Sequence, residues 1–146
     1  MSSVLVYCLP LYGGCGKGEL QDLQIIQNKL ARLITFSPRD TNRTIIFDKL
    51  KWMTVNLLVQ YYTILAVYRI RQCKEPEDLA FYLTKENRNE NIIVPQSNME
   101  LYRKSFIYRS IICWNKVPKE IRMIQDLFNF KTQLKKWMKT EIEKFP

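Results

Sequence analysis

The sequence predicts an all-α protein, a small irregular helical bundle with one long buried central helix and a basic C-terminal helix. First, apolar residues in several segments recur at the 3.6-residue spacing of an amphipathic helix. Second, residues 55–73 are apolar on nearly every side, which is typical of a helix buried all round. Third, the one extended candidate, residues 92–94, is too short to make a sheet.

The first two elements lie on either side of a glycine turn. Residues 2–11 form a short apolar element, and residues 13–18 hold all four glycines of the chain, which break it. A helix is then predicted over residues 19–35. Gln27 falls within its apolar arc, so its amide is expected to bond a backbone group, because an unpaired buried amide costs about 1–3 kcal/mol. The arc expected to face inward consists of Leu20, Leu23, Ile26, Leu30, Leu33 and Ile34.

The central helix follows a loop and a short helix. Short polar residues around a proline at 37–42 end the preceding helix, and residues 45–50 are predicted to form one or two helical turns. Thr54 is expected to cap the long helix over residues 55–73. Arg71 lies near its C-terminus, where a positive charge suits the helix dipole.

The next part of the chain is less regular. A helical turn is predicted at residues 78–83, followed by a polar surface loop at 85–91 and an irregular path to Ser105. A helix is predicted over residues 106–115, and Pro118 is expected in the first turn of another helix.

The last helix is predicted from about residue 126 to about residue 144. Asn115, which precedes it, is expected to bond local backbone between two helices, as asparagine does at caps and turns. Its inward face is predicted to hold Leu127, Phe130, Leu134 and Trp137 or Met138.

Length and composition favour a single intracellular domain. A chain of 146 residues can bury a core. No apolar run approaches the roughly 20 residues that span a bilayer, and the apolar start has no preceding basic region or small-residue cleavage site. The parts of this one helical domain are an apolar lead-in at 1–16, a helical core at 17–84, a loop at 85–104 and basic C-terminal helices at 105–146.

The residue types exclude several catalytic mechanisms, although a site built on carboxylates stays open with fourteen dispersed acidic residues. The chain has no histidine, so a Ser-His-Asp or Cys-His site and a histidine general base are both excluded. The cysteines are Cys8, Cys15, Cys73 and Cys113, and they include no C-x-x-C pair, so no metal site is expected. Four thiols could form two disulfide bridges in an oxidising compartment, but without a secretion signal we predict buried, reduced cysteines. We therefore predict no catalytic residue and no cofactor.

Positive charge is concentrated in the last third of the chain. Of the net +9, residues 99–146 contribute eleven basic and five acidic residues, a net of +6. Such an excess suits a polyanionic partner, although a solvated basic face is the alternative. Within residues 103–109, basic residues alternate with aromatic ones, as in single-strand binding surfaces, although Phe106 also suits a core position. The candidate nucleic-acid-binding residues are Arg103, Lys104, Arg109, Lys131, Lys135, Lys136 and Lys139.

Five segments of the chain follow one another in a distinctive order and spacing. They are Tyr7 through Gly13, Leu23-Gln24-x-x-Gln27-Asn28-Lys29-x-x-Arg32, Arg103-x-Ser105-Phe106-x-Tyr108-Arg109, Trp114-Asn115-x-x-Pro118-x-x-Ile121-Arg122 and Phe130-Lys131-x-x-Leu134-Lys135. Together with the long apolar helix after Thr54, they resemble the region downstream of the thumb in Jockey-type non-LTR retrotransposon reverse transcriptases. Compared with that family, Cys8 stands in place of glycine, Tyr12 in place of tryptophan and Val117 in place of leucine.

The resemblance implies a parent that is an RNA-directed DNA polymerase, and a truncated, non-catalytic C-terminal fragment here. The aromatic-x-Asp-Asp signature of the palm is missing from the chain. The expected partners are RNA or DNA, bound electrostatically and with weak specificity, together with the missing polymerase core. One alternative is a helical scaffold that packs on the thumb through the apolar residues 1–12, with Leu5, Leu9 and Leu11; another is a degenerate remnant without activity.

Overall fold

The computed structural model describes residues 9–142, apart from the side chains of Tyr12, Lys17, Glu141 and Ile142. All the regular structure in this part of the chain is helical, which confirms the all-α prediction, and one isolated antiparallel bridge joins Glu86 to Ile92. The described helices are α1 (Leu9–Tyr12), α2 (Lys17–Thr35), α3 (Arg43–Leu50), α4 (Val55–Cys73), α5 (Glu77–Thr84), α6 (Glu100–Arg103), α7 (Phe106–Lys116), α8 (Lys119–Arg122) and α9 (Leu127–Ile142).

Helix α4 is the buried centre of the bundle, as predicted. Helices α1, α2, α5, α7 and α9 all pack against it. In the main core, Tyr68 of α4 stacks on Phe130 of α9 with ring centroids 4.0 Å apart, and Trp114 of α7 lies 6.2 Å from the same phenyl ring. The segments predicted separately as a helical core and as basic C-terminal helices therefore share one hydrophobic core.

Two smaller clusters attach the N-terminal helices. Leu9 of α1 is buried against Val55 and Val59, whereas Leu11 is exposed. Leu9 therefore belongs to the fold rather than to an outward apolar surface, and Leu5 lies outside the described residues. The second cluster joins α2 to α3 through Ala31, Ile46 and Phe47.

The predicted inward arc of α2 is wrong for its second half. Ile26 is 49% exposed and Leu33 is 68% exposed, and Ile34 is exposed as well. Gln27, only 4% exposed, and Ala31 are buried instead, because α2 contacts α3 and α4 along the side that carries them. The expected bond of the Gln27 amide is confirmed: its Nε2 donates to the carbonyl of Met53 at 2.8 Å.

The structure differs from the sequence prediction at the start of α4 and in the loop before α7. Thr54 occupies the N-cap position of α4, as predicted, but its side chain forms no capping bond. The first N–H of α4, on Val55, donates instead to Gln24 Oε1 at 2.8 Å. Residues 85–104, predicted as a loop, contain the short helix α6. Helix α6 was not predicted from the sequence, because four residues are too few to show a helical period.

Helix α9 has the predicted inward face except at its start. Phe130, Leu134 and Met138 are buried, and Trp137 is partly buried, as expected. Leu127 is exposed, because it occupies the first position of the helix, ahead of the buried stripe. Among the described helices, none combines the length and apolar character needed to cross a membrane.

Candidate nucleic-acid interface

The lysines of α9 form a stripe beside its buried face. Lys131, Lys135 and Lys139 recur every four residues, and Lys136 lies next to them. Lys131 is half-buried and the other three are exposed. Within the part of the chain that the structure describes, no carboxylate forms an ion pair with any of the four. We call these four residues the α9 ridge.

Tyr61 of α4 supports the middle of the ridge. The Lys135 ammonium lies 5.5 Å from the centroid of the Tyr61 ring, within the range of a cation–π interaction. Tyr61 is buried, and burial raises the pKa of its phenol. Because the ring faces the core, it steadies the lysine and offers no open surface on which a nucleic-acid base can stack.

Arg103 and Lys104, at the end of α6, already have partners. Lys104 Nζ lies 2.8 Å from Glu100 Oε1, a pairing that raises the pKa of Lys104 and lowers that of Glu100. Arg103 Nε donates to the carbonyl of Ser97 at 3.2 Å. Both side chains are exposed, so these bonds are readily exchanged, but the charge of Lys104 is partly neutralised.

Arg109 holds α1 to the junction of α6 and α7. Its Nη2 donates to the carbonyls of Pro10 at 2.8 Å and Leu11 at 3.4 Å, and its Nε donates to the carbonyl of Lys104 at 3.0 Å. Burial lowers the pKa of this guanidinium, which nevertheless keeps its charge. Only Nη1 has no carbonyl partner, and it lies against Gly13. This geometry gives Arg109 a structural role, and its contact with phosphate stays a prediction.

The seven predicted residues are divided between two places. Arg109 Nη1 and Val59 of α4 flank Gly13, since a Cβ there would lie 2.3 and 2.4 Å from their atoms. The α9 ridge instead reaches α4 at Tyr61. Arg109 and the ridge therefore contact different groups, α1 and the Gly13–Val59 region in one case and Tyr61 in the other.

The motif Trp114-Asn115-x-x-Pro118-x-x-Ile121-Arg122 bonds the polar loop at 85–91 and the following Ile92 to the bundle. Asn115 bonds both the N–H and the carbonyl of Ile92. Arg122 donates through Nη1 to the carbonyl of Glu90 at 2.8 Å and through Nη2 to Asn91 Oδ1 at 3.2 Å. The prediction that Asn115 bonds local backbone is wrong, because its partner lies 23 residues away.

A cleft of about 370 Å³ lies between this motif and the end of α4. Both of its glutamates are paired, Glu86 with Arg71 at 2.6 Å and Glu90 with Lys119 at 3.5 Å. Arg122 also lines the cleft and donates to uncharged acceptors. Trp114 also lines it, with the Arg71 guanidinium 5.4 Å from the centre of the Trp114 ring. Because both glutamates are held by cations, the cleft presents a mixed-charge surface rather than a free carboxylate. Sequence reasoning missed it, since its walls come from segments far apart in the chain.

The described residues contain no cluster of three or more cysteine, aspartate or glutamate side chains that would hold a metal ion. Cys15 and Cys73 are exposed free thiols, so the prediction that the cysteines are buried is wrong for these two, and Cys113 is partly buried. Cys8 lies outside the described residues. Burial raises the pKa of the Cys113 thiol, which disfavours the reactive thiolate.

No protein-family model, curated protein or solved structure matches this chain. The resemblance noted in the sequence therefore depends on its motifs alone. In the structure, the motif at 114–122 bonds the polar loop at 85–91 and Ile92, and the motif at 130–135 contains Lys131 and Lys135 of the α9 ridge.

Proposed function

We propose that this chain is a non-catalytic, post-thumb part of a non-LTR retrotransposon reverse transcriptase that binds the RNA or DNA backbone through the α9 ridge. The observation that carries the proposal is the contrast between two groups of cations. Lys104 forms an ion pair with Glu100, whereas none of the four ridge lysines forms an ion pair with a carboxylate among the described residues. On this proposal the chain acts inside the cell, in the nucleus or the cytoplasm, as an accessory to the polymerase core.

Backbone binding follows from the chemistry of the ridge. Like charges four residues apart on a helix repel by a few tenths of a kcal/mol per pair. Phosphates on a nucleic acid relieve that repulsion, and each lysine that neutralises a phosphate releases counterions. Ammonium groups on flexible stems read charge and not base identity, so binding is expected to be nearly independent of sequence.

Salt dependence tests the proposal directly. Four phosphate contacts predict that the logarithm of the association constant falls with the logarithm of salt concentration with a slope of roughly −3. Fluorescence anisotropy with labelled single-stranded RNA, and with a DNA duplex, measures this slope from low to moderate salt. An affinity that does not change with salt would contradict electrostatic binding.

A charge-matched pair of variants locates the surface. The triple variant K135Q/K136Q/K139Q is expected to weaken binding about tenfold or more and to reduce the slope by about two. The control R39Q/K49Q/K51Q removes the same net charge from exposed positions in and near α3, and it should change affinity less than about threefold. Equal losses in the two variants would mean that only net charge matters, and the ridge would be rejected.

The alternative function is a helical scaffold that packs on a polymerase thumb. Exposed Leu11, next to the apolar start of the chain, favours it, while buried Leu9 does not contribute. Under this alternative, the L11E variant loses association with the polymerase core and the ridge variant keeps it. A degenerate remnant would bind neither nucleic acid nor the core.

A further inference from the structure

One side of α2 presents apolar side chains to solvent. At 100° per residue, Asp22, Ile25, Ile26, Lys29 and Leu33 fall within an arc of about 100°. This arc is centred opposite the buried side of the helix, and all five residues are exposed. We call it the α2 strip. Single exposed apolar residues are ordinary, but a contiguous strip on one helix is typical of an interaction site.

Phe36 adds a second observation at the end of the same helix. Its φ of 50° is left-handed, a conformation in which helix ends normally carry glycine. Its ring is 92% exposed. The left-handed backbone closes α2, because the N–H of Phe36 donates to the carbonyls of Arg32 and Leu33, and Lys51 and Lys74 close α3 and α4 in the same conformation. The exposed ring, however, does not contribute to the core of the isolated chain. A partner that covers the ring would account for a phenylalanine at this position.

The charges within the α2 strip indicate which partner fits. Asp22 precedes the apolar centre and Lys29 follows it, and neither forms an ion pair with another described residue. They are about 10 Å apart along their own helix, too far to pair with each other. The strip therefore carries one unpaired charge of each sign on either side of Ile25 and Ile26.

We propose that the α2 strip binds the same strip of a second copy of this chain, with the two helices antiparallel. A two-fold axis between Ile25 and Ile26 sets Asp22 of each copy opposite Lys29 of the other, and Ile25 opposite Ile26. Parallel packing would bring like charges together. The pattern is self-complementary, which a surface for an unrelated partner does not require.

The contact is small, so association is expected to be weak. One helix pair buries less than the roughly 1,200–2,000 Å² of a standard stable interface. We expect a reversible dimer with a dissociation constant on the order of micromolar. Higher salt should weaken it, because two of its contacts are exposed ion pairs. The inference does not depend on the proposed nucleic-acid binding, since the α9 ridge lies on a different helix.

A charge exchange tests the inference. Sedimentation velocity of the full chain at increasing concentration should show a monomer–dimer equilibrium. D22K and K29D should each weaken dimerisation at least tenfold, because each places like charges opposite one another. The double variant D22K/K29D should restore it, because the pairs re-form with their signs reversed. All these positions are exposed, and circular dichroism checks that the variants remain folded.

Two controls make the test specific. E100K/K104E exchanges an exposed pair within one helix and should leave dimerisation unchanged. F36G should weaken dimerisation while raising the unfolding temperature of the chain. A wild-type monomer at all concentrations, or a D22K/K29D variant that stays monomeric, would overturn the inference. Dimerisation lost in L11E but retained in D22K would overturn it as well, because association would then occur through the N-terminal apolar segment.

Discussion

The side-chain amide of Asn115 bonds both backbone groups of Ile92, with Oδ1 accepting from the N–H and Nδ2 donating to the carbonyl, each at 2.9 Å. Ile92 is buried and follows the polar loop, so these groups cannot turn to solvent. The last turn of α7 therefore serves Ile92 as a neighbouring strand would in a sheet.

Removal of this amide should be strongly destabilising. In N115A the N–H and the carbonyl of Ile92 both lose their partner, and we expect a loss of about 2–4 kcal/mol in the free energy of unfolding. Urea denaturation measures the loss, and amide hydrogen exchange should show faster exchange at Ile92. In N115D the acceptor is kept, but a carboxylate oxygen replaces the donor and faces the Ile92 carbonyl, so this variant should be destabilised as well. A loss below about 0.5 kcal/mol in N115A would show that the loop is held by other contacts.

Two glycines should respond in opposite directions to alanine. A Cβ at Gly13 would lie 2.3 Å from Arg109 Nη1 and 2.4 Å from Val59 Cγ1, so G13A must displace α1 and should cost roughly 1–3 kcal/mol. A Cβ at Gly18 meets nothing within 4 Å, and Gly18 lies within α2, so G18A should stabilise the chain by about 0.5 kcal/mol. Chemical denaturation of both variants gives the comparison. Similar effects in the two would contradict the close approach of Arg109 to Gly13.

The start of α4 should depend on Gln24 and not on Thr54. Gln24 Oε1 accepts the N–H of Val55, and its Nε2 donates to Gln27 Oε1 at 2.9 Å. Q24A should therefore cost about 1–2 kcal/mol, while T54A should remain within about 0.5 kcal/mol of the wild type. Urea midpoints of the two variants decide this. A larger loss in T54A would mean that the threonine does cap the helix.

The thiols should differ in reactivity. Cys15 and Cys73 are exposed, whereas burial raises the pKa of Cys113. Native labelling with iodoacetamide, read by peptide mass spectrometry, should modify Cys15 and Cys73 well before Cys113. In urea all three should react at similar rates. Fast labelling of Cys113 in the folded chain would contradict its burial.

The chain should lose stability in alkali. Burial raises the folded pKa of Cys113, Tyr61 and Tyr68 above their unfolded values, so the unfolded chain gives up these protons first. Their contribution is fully present below the ordinary thiol and phenol range, and it falls as the pH rises above about 9. Unfolding free energies between pH 7 and 11 measure this decline. In C113A the decline should be shallower, and an identical pH profile would contradict the thiol contribution.

The local sequence pattern predicted where the helices lie better than it predicted which residues pack against each helix. The apolar composition of residues 55–73 predicted that α4 is the buried central helix, because a helix that is apolar on every side is stable only where other helices cover it. The apolar periodicity of residues 19–35 predicted the extent of α2 but not which side of the helix is buried, since an apolar arc does not reveal which neighbouring helix covers it. The partner of Asn115 lies 23 residues away, and two acceptors of Arg109, on Pro10 and Leu11, lie nearly a hundred residues away, beyond any local pattern. Consequently the sequence predicted that the lysines of α9 share one face of the helix, but it did not predict that Arg109 would bond α1 instead of joining them.

The guanidinium of Arg109 and the Pro10 carbonyl are separated by 99 positions in the chain. Leu9 is covered by α4, but the carbonyls of Pro10 and Leu11 gain their partner only when α7 is in place. A contact between groups so far apart requires the closure of a long loop, which is slow compared with the formation of a helix. We therefore expect the bonds between Arg109 and α1 to form late in folding, after the central helix has been covered.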